Sequence, residues 1–146
     1  MTLLKLALAA FAACVAIHVD ALADSDVATL SQAEVQGAAF QRPDVRKVPD
    51  NDATALQLDA MKSSDGKYVS GMYKAGPEHY DFSTTGYDYY EFNYVITGSI
   101  TLTSPNGKVH FIRAGEAVVI PKGWKGKWDS DGYTKLWATY DPDAKK

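Results

Sequence analysis

The clearest hydrophobic pattern in the chain is a period of two that runs from Tyr90 to Leu102. Aromatic and aliphatic residues such as Phe92 alternate with polar ones such as Glu91 and Asn93. Alternation of this kind, with many aromatic and β-branched residues, is typical of a half-buried β-strand. The segment therefore predicts one long strand on which the rest of the domain is organised.

Turn chemistry follows this strand directly. Residues 104–108 read Ser-Pro-Asn-Gly-Lys, in which proline presets φ and Asn-Gly tolerates positive φ, so a hairpin is predicted there. Further strands are predicted at Val109–Arg113, Ala117–Ile120 and Tyr133–Tyr140. Pro121 cannot continue a ladder and ends the second of them, and residues 129–132 are predicted as a turn.

The chain before the long strand is less regular. Residues 53–61 predict a first strand or a short helical turn, residues 66–74 predict a strand, and a polar loop follows Gly76 and Pro77. Residues 24–52 are polar and interrupted by prolines, so we expect a linker or an arm that wraps the domain, with a short helix within 28–39. Short strands separated by turns about every eight to twelve residues indicate an all-β sandwich or barrel over residues 53–146.

The N-terminal 23 residues are predicted to be a signal peptide. An apolar run over residues 6–17 is too short to span a bilayer securely, and small residues at Ala21 and Ala23 suit signal peptidase. We expect cleavage after Ala23, which makes the mature protein periplasmic or secreted and leaves it without a membrane contact. Cys14 is the single cysteine, so the mature chain would have no disulfide; a loose lipoprotein-like box would instead make Cys14 a lipid anchor.

Composition narrows the function classes. A chain of 146 residues with 46% hydrophobic residues is long enough for one domain with a core and too short for two. The net charge is −3 and basic residues are not clustered, which argues against nucleic acid as a partner. The sequence has no nucleophile elbow, phosphate loop or thiol motif, so it does not name a reaction.

Two stretches resemble the paired motifs of cupins. Glu91, six residues and Gly98 fit the end of G-x5-H-x-H-x3/4-E-x6-G. Gly115, five residues, Pro121 and Gly123 fit the start of G-x5-P-x-G-x2-H-x3-N. The resemblance covers about residues 67–140. It implies a single-domain cupin, a jelly-roll barrel also described as a double-stranded β-helix.

One cupin branch is more similar than the others. Residues 87–98 read Y-D-Y-Y-E-F-N-Y-V-I-T-G, and residues 121–128 read P-K-G-W-K-G-K-W. These segments resemble the branch that includes ureidoglycine aminohydrolase and the ethanolamine-utilisation cupins, which also carry a lysine near Lys135. Many members of that branch have no known activity.

The family's metal ligands are largely missing here. In metal-binding cupins, two histidines and the glutamate of the first motif join a histidine of the second to bind Mn, Fe, Ni or Zn. The two histidine positions of the first motif hold Thr85 and Tyr87, or Thr84 and Gly86 with the longer spacing. The histidine position of the second motif holds Gly126. Only Glu91 remains, so we expect no metal cofactor. An open alternative is a divalent transition metal held at a non-standard site by Glu91 with His79 or His110.

The resemblance also implies which face of the long strand looks into the barrel. By alternation, that face carries Tyr87, Tyr89, Glu91, Asn93 and Val95. Trp124 and Trp128 are expected to approach it from the second motif. Aromatic walls with a few polar groups are typical of a small-molecule pocket, and aromatic faces also suit a cation or a sugar.

Other interpretations of these residues stay open. The two tryptophans would also serve as core packing, and Glu91 would also pair with Lys135 or with a tyrosine hydroxyl. A protonated Glu91 in an apolar barrel would act as a general acid.

We therefore expect an exported cupin that binds a small polar molecule without the usual metal. One alternative is an enzyme of the aminohydrolase or isomerase kind with Glu91 as its acid/base. Another is a structural or interaction module with a filled barrel. The outward row Phe92, Tyr94 and Ile96 is apolar and predicts a homodimer, unless the N-terminal arm covers that row.

Overall fold

The computed structural model describes residues 26–50 and 53–145. The predicted signal peptide, its cleavage point at Ala23 and Cys14 lie outside these residues, so export and lipid anchoring stay predictions. Within the described ranges, none of the helices has the length and apolarity that a membrane span requires.

Strands dominate the described part of the chain. Two short helical segments come first, α1 at Gln32–Val35 and a 3-10 turn at Ala38–Gln41. The strands are β1 Arg46–Asp50, β2 Ala53–Lys62, β3 Tyr68–Ala75, β4 Glu78–Asp81, β5 Tyr90–Thr103, β6 Val109–Arg113, β7 Ala117–Ile120, β8 Lys127–Ser130 and β9 Tyr133–Tyr140. All of the pairings are antiparallel, and the all-β prediction is confirmed.

The long strand β5 joins two sheets. Its first part pairs with β9 and β7 in a sheet that continues through β3 and β2 to β1. Its last part pairs with β6 and β8, and β8 pairs in turn with β4. The sheets curl around a shared interior because one 14-residue strand belongs to both of them. The predicted organising role of this strand is confirmed.

A β-bulge changes which side chains face the interior along β5. The register with β9 shifts between Val95 and Thr97, which inserts one extra residue into β5 and reverses the alternation beyond it. Val95 and Ile100 are both fully buried although they have opposite parity. The simple period of two placed Ile100 with the exposed Phe92, and the bulge is the reason that this grouping fails.

Three segments predicted as irregular are strands. Arg46–Asp50 was assigned to the arm or linker, Glu78–Asp81 to a loop, and the second half of Lys127–Ser130 to a turn. The edge strand β1 pairs only with β2, which explains why it tolerates Pro49. Strands β4 and β8 are four residues each and pair with each other, so neither shows a long alternation.

The N-terminal arm covers part of the outer face of the larger sheet. Its apolar residues Leu30, Phe40 and Val45 pack with Leu58, Met72, Ile96 and Leu136. Phe92 and Tyr94 lie beyond this cover and are 45% and 38% exposed. The arm therefore covers only Ile96 of the predicted outward row, and the homodimer stays a prediction.

Candidate functional site

A cavity of about 520 Å³ lies inside the barrel and is lined by strands of both sheets. Its volume is within the range of small-molecule sites. Eight aromatic side chains line it: Tyr73, Tyr80, Phe82, Tyr87, Tyr89, Trp128, Tyr133 and Trp137. Aromatic rings therefore form much of the cavity wall, and the charged and polar groups among them decide its chemistry.

Glu91 is buried at one wall of this cavity and is 4% exposed. Its Oε1 accepts a hydrogen bond from Lys135 Nζ at 2.9 Å, and its Oε2 accepts one from the hydroxyl of Tyr87. Both oxygens of the side chain therefore have a donor beside them. The structure thus pairs Glu91 with the lysine and with a tyrosine at the same time.

Lys135 places an ammonium group among aromatic rings. The residue is 6% exposed, and its Nζ lies 4.8 Å from the ring centre of Trp128, 5.5 Å from that of Tyr73 and 5.7 Å from that of Tyr133. Ring faces and a carboxylate are both favourable neighbours for an ammonium group. The Lys135 side chain is therefore held between three rings and Glu91 inside the cavity.

A second carboxylate, Glu78, was missed by the sequence analysis. It is 1% exposed, and it accepts hydrogen bonds from the Tyr73 hydroxyl at 2.5 Å and from the Tyr133 hydroxyl at 2.6 Å. Burial, together with the negative charge of Glu78, holds the pKa of Tyr133 well above its usual value, so this hydroxyl stays protonated and donates. The available signal was the short alternation over residues 78–81, which is too brief to predict a strand.

The tyrosines near Glu91 are hydrogen-bond donors at neutral pH. Burial, reinforced by the Glu91 charge, raises the pKa of Tyr87 well above its usual value and that of Tyr89 to about 12. The two rings meet edge to face with centres 5.1 Å apart, and Phe82 packs on Tyr87 at 4.9 Å. These rings hold the hydroxyl of Tyr87 in place against the carboxylate.

Not all of the predicted ligand-binding residues reach the cavity. Tyr87, Tyr89 and Trp128 line it. Asn93 faces inward and is fully buried but does not line it, and its side-chain amide has no hydrogen-bond partner among the described residues. Trp124 lies at a separate cavity of about 190 Å³ and donates to Ser104 Oγ at 3.2 Å.

Neither histidine reaches Glu91. His79 lies on β4 rather than in a loop, and it points outward with its Nδ1 2.9 Å from Asp129 Oδ1. His110 is exposed on β6 and lines the smaller cavity. In residues 26–50 and 53–145, no three histidine, cysteine, aspartate or glutamate side chains are grouped as metal ligands would be.

The cavity residues do not fit a transition metal. Lys135 Nζ is already 2.9 Å from Oε1 of Glu91, the one side chain kept from the cupin ligand set, and an ammonium repels a metal cation. The lining residues supply no imidazole. The metal-free site nevertheless stays a prediction that elemental analysis would test.

Two antiparallel sheets joined by one strand, with glycine corners at the motif positions and a ligand-sized cavity between them, define a cupin. Residues 82–135 match the family model of the EutQ-like cupin domain. This match covers part of the chain and supports the cupin superfamily and its EutQ-type branch, as the motifs predicted.

Solved structures share this fold. The EutQ protein of Clostridium difficile is 21% identical with a TM-score of 0.51, over 69% of this chain and 79% of that one. A DUF861-family protein of unknown function from Pseudomonas syringae is 16% identical with a TM-score of 0.59, over 65% of this chain and only 43% of that longer one. The polyketide cyclase RemF from Streptomyces resistomycificus is 20% identical with a TM-score of 0.51, over 68% and 75%. These likenesses show the fold alone, and no curated protein sequence matches the chain.

Proposed function

We propose that this cupin binds a small polar molecule in its barrel without the help of a metal. One observation carries the proposal: a cavity of about 520 Å³ has aromatic walls around the buried Glu91–Lys135 pair. Apolar walls provide area to bury, and a few fixed polar groups orient what is buried. The open volume argues against a filled barrel that serves only as a structural module.

The experiment is a ligand panel on the purified protein, prepared without a histidine tag and with its metal content measured first. We expect no stoichiometric metal. We also expect at least one small polar compound to raise the thermal midpoint with a chelator present, since a ligand at a hundredfold its Kd adds about 2.7 kcal/mol. A stoichiometric metal, or a stabilisation abolished by the chelator, would contradict the metal-free site.

The enzymatic alternative is supported by the contacts of Glu91. A carboxylate that touches the protonated Tyr87 hydroxyl and the Lys135 ammonium has a base, a proton donor and a positive charge within one cavity. The name of the structural neighbour RemF, a polyketide cyclase, adds carbonyl compounds to the substrate classes worth testing.

This alternative makes its own prediction. If Glu91 removes a proton next to a carbonyl, the protein should exchange that hydrogen of a bound ketone with deuterium from heavy water, as followed by NMR. Glu91→Gln should abolish the exchange, and Tyr87→Phe should slow it about a hundredfold or more, the usual contribution of a positioned acid. Exchange that persists in a folded Glu91→Gln variant, as checked by circular dichroism, would exclude Glu91 as the base.

A further inference from the structure

We propose that the cavity captures an aldehyde or a ketone covalently, as an imine on the side-chain nitrogen of Lys135. This inference rests on the proposed function and names the ligand class and the mode of binding at the same site. Two observations carry it. Lys135 lines the cavity in direct contact with a carboxylate, and the rings around its nitrogen suit a positive charge both before and after such a reaction.

Lys135 has the contacts that an amine nucleophile needs. It is 6% exposed and lines the cavity of about 520 Å³, so a ligand inside the cavity can reach this side chain. Glu91 Oε1 lies 2.9 Å from Nζ, close enough to accept the proton that an ammonium group must lose before it reacts. The Tyr87 hydroxyl donates to the other oxygen of Glu91 and holds this base in place. The nucleophile, its base and the group that orients the base are therefore in contact with one another.

The reaction needs no partner beyond the carbonyl compound. Glu91 takes one proton from the ammonium group, and the freed lone pair attacks the carbonyl carbon, whose π electrons move to the oxygen. This oxygen takes the proton back from Glu91, which gives a carbinolamine. Glu91 then carries a second proton from the nitrogen to the same oxygen, the C–O bond breaks, and water leaves. The new C–N bond ends as the double bond of a protonated imine.

Reactant and product place the same charge at the same point. The ammonium and the protonated imine each carry one positive charge on the nitrogen of Lys135, so the ion pair with Glu91 is kept. Three rings lie at cation–π distance, 4.8 to 5.7 Å from this nitrogen: Trp128, Tyr73 and Tyr133. Capture of an uncharged molecule therefore leaves no buried charge without its partner.

The remaining wall of the cavity determines the body of the ligand. Tyr80, Phe82 and Tyr89 also line it. Aromatic walls bury apolar area, and they exclude the water that would otherwise hydrolyse the imine. The ligand that fits is therefore an uncharged carbonyl compound with an apolar or aromatic body.

The test traps the imine on the full chain. Benzaldehyde is the probe, cyanoborohydride reduces an imine to a stable amine, and peptide mass mapping gives the labelling rate of each lysine. Lys127 is the internal reference, because its side chain is 62% exposed and it does not line the cavity. We expect labelling at Lys135 to be about tenfold or more faster than at Lys127, since a bound aldehyde is held next to the nitrogen. Burial alone would make Lys135 the slower of the two.

Two further measurements connect the label to the cavity. Benzyl alcohol has the same ring without the carbonyl group, and it should slow labelling at Lys135 but not at Lys127. Glu91→Gln should lower the Lys135 rate about a hundredfold, the usual contribution of a positioned base, and leave the Lys127 rate unchanged. Glu116→Gln is the matched control, because Glu116 is exposed between β6 and β7 and does not line the cavity. It should change neither rate.

If Glu91→Gln does not fold, the comparison of the two lysines in the unaltered protein still decides the question. An unchanged Lys135 rate in a folded Glu91→Gln variant would overturn the role of Glu91 as the base.

Two failures can be told apart. Labelling at Lys135 no faster than at Lys127, with a thermal midpoint that benzaldehyde or benzyl alcohol still raises, would overturn covalent capture and leave the proposed small-molecule function standing. If neither compound binds and Lys135 is not labelled, covalent capture is overturned as well. Only a wider panel that also found no ligand would overturn the proposed function.

Discussion

Lys135→Met is expected to lower the free energy of unfolding by about 3–5 kcal/mol, the usual cost of removing one partner of a buried ion pair. The substitution keeps most of the side-chain volume but removes the ammonium that contacts Glu91 at 2.9 Å. Glu91 is 4% exposed and would be left as a buried charge with only the Tyr87 hydroxyl beside it. Urea denaturation, monitored by fluorescence, measures the loss in free energy of unfolding.

A second substitution, Glu91→Gln, separates the effect of the lost charge from the effect of the lost packing. Added to Lys135→Met, it removes the unpaired charge, so the double variant should recover more than half of the lost stability. Lys127→Met is the control, since Lys127 is exposed and lies 3.9 Å from Asp81 at the surface; we expect a change within about 0.5 kcal/mol. A loss below about 1 kcal/mol for Lys135→Met, or a double variant no better than the single one, would show that the pair is not energetically coupled.

Sequence alone could predict the part of the site that lies on one uninterrupted strand. Alternation from Tyr87 to Val95 grouped Glu91 with its neighbours on one face, because successive side chains of a strand point to opposite faces, and the cupin resemblance implied that this face looks inward. The structure buries Glu91, Asn93 and Val95 and exposes Phe92 between them. The prediction held only as far as the bulge after Val95, since nothing in the local composition marks the extra residue there.

The second carboxylate could not be found in the same way. Glu78 is on a four-residue strand whose partner β8 begins at Lys127, so the pairing that turns it inward depends on contacts about fifty positions away. The two residues directly before it, Gly76 and Pro77, favour a loop. The burial of this second carboxylate is therefore a property of the tertiary structure.

Motif counting showed which residues stand at the family's ligand positions but not which side chains surround Lys135. It identified Thr85, Tyr87 and Gly126 at the usual histidine positions. It did not place the three rings around Lys135 or separate Trp128 from Trp124, because both tryptophans belong to the same motif. The two tryptophans lie at different cavities in the structure, and this difference leads to the second prediction.

Trp128→Ala is expected to cost about 3–5 kcal/mol of unfolding free energy, in the range of large-to-small substitutions in protein cores. Trp128 is 2% exposed, packs on Tyr133 with ring centres 5.9 Å apart, and lies 4.8 Å below the Lys135 ammonium. The substitution removes the ring from the cavity wall, so binding of any ligand in the barrel should weaken as well. Denaturation and calorimetry on the same samples measure both effects.

Trp124→Ala is the matched control, because the two residues are four positions apart and only Trp128 lines the main cavity. Trp124 is half-buried, so we expect a smaller loss, about 1–2 kcal/mol, and no change in ligand affinity. Trp128→Phe keeps a ring face for the ammonium and should recover about half of the loss. If both alanine variants weakened ligand binding equally, the binding site would extend to the smaller cavity beside Trp124, and the aromatic wall around Lys135 would not be its centre.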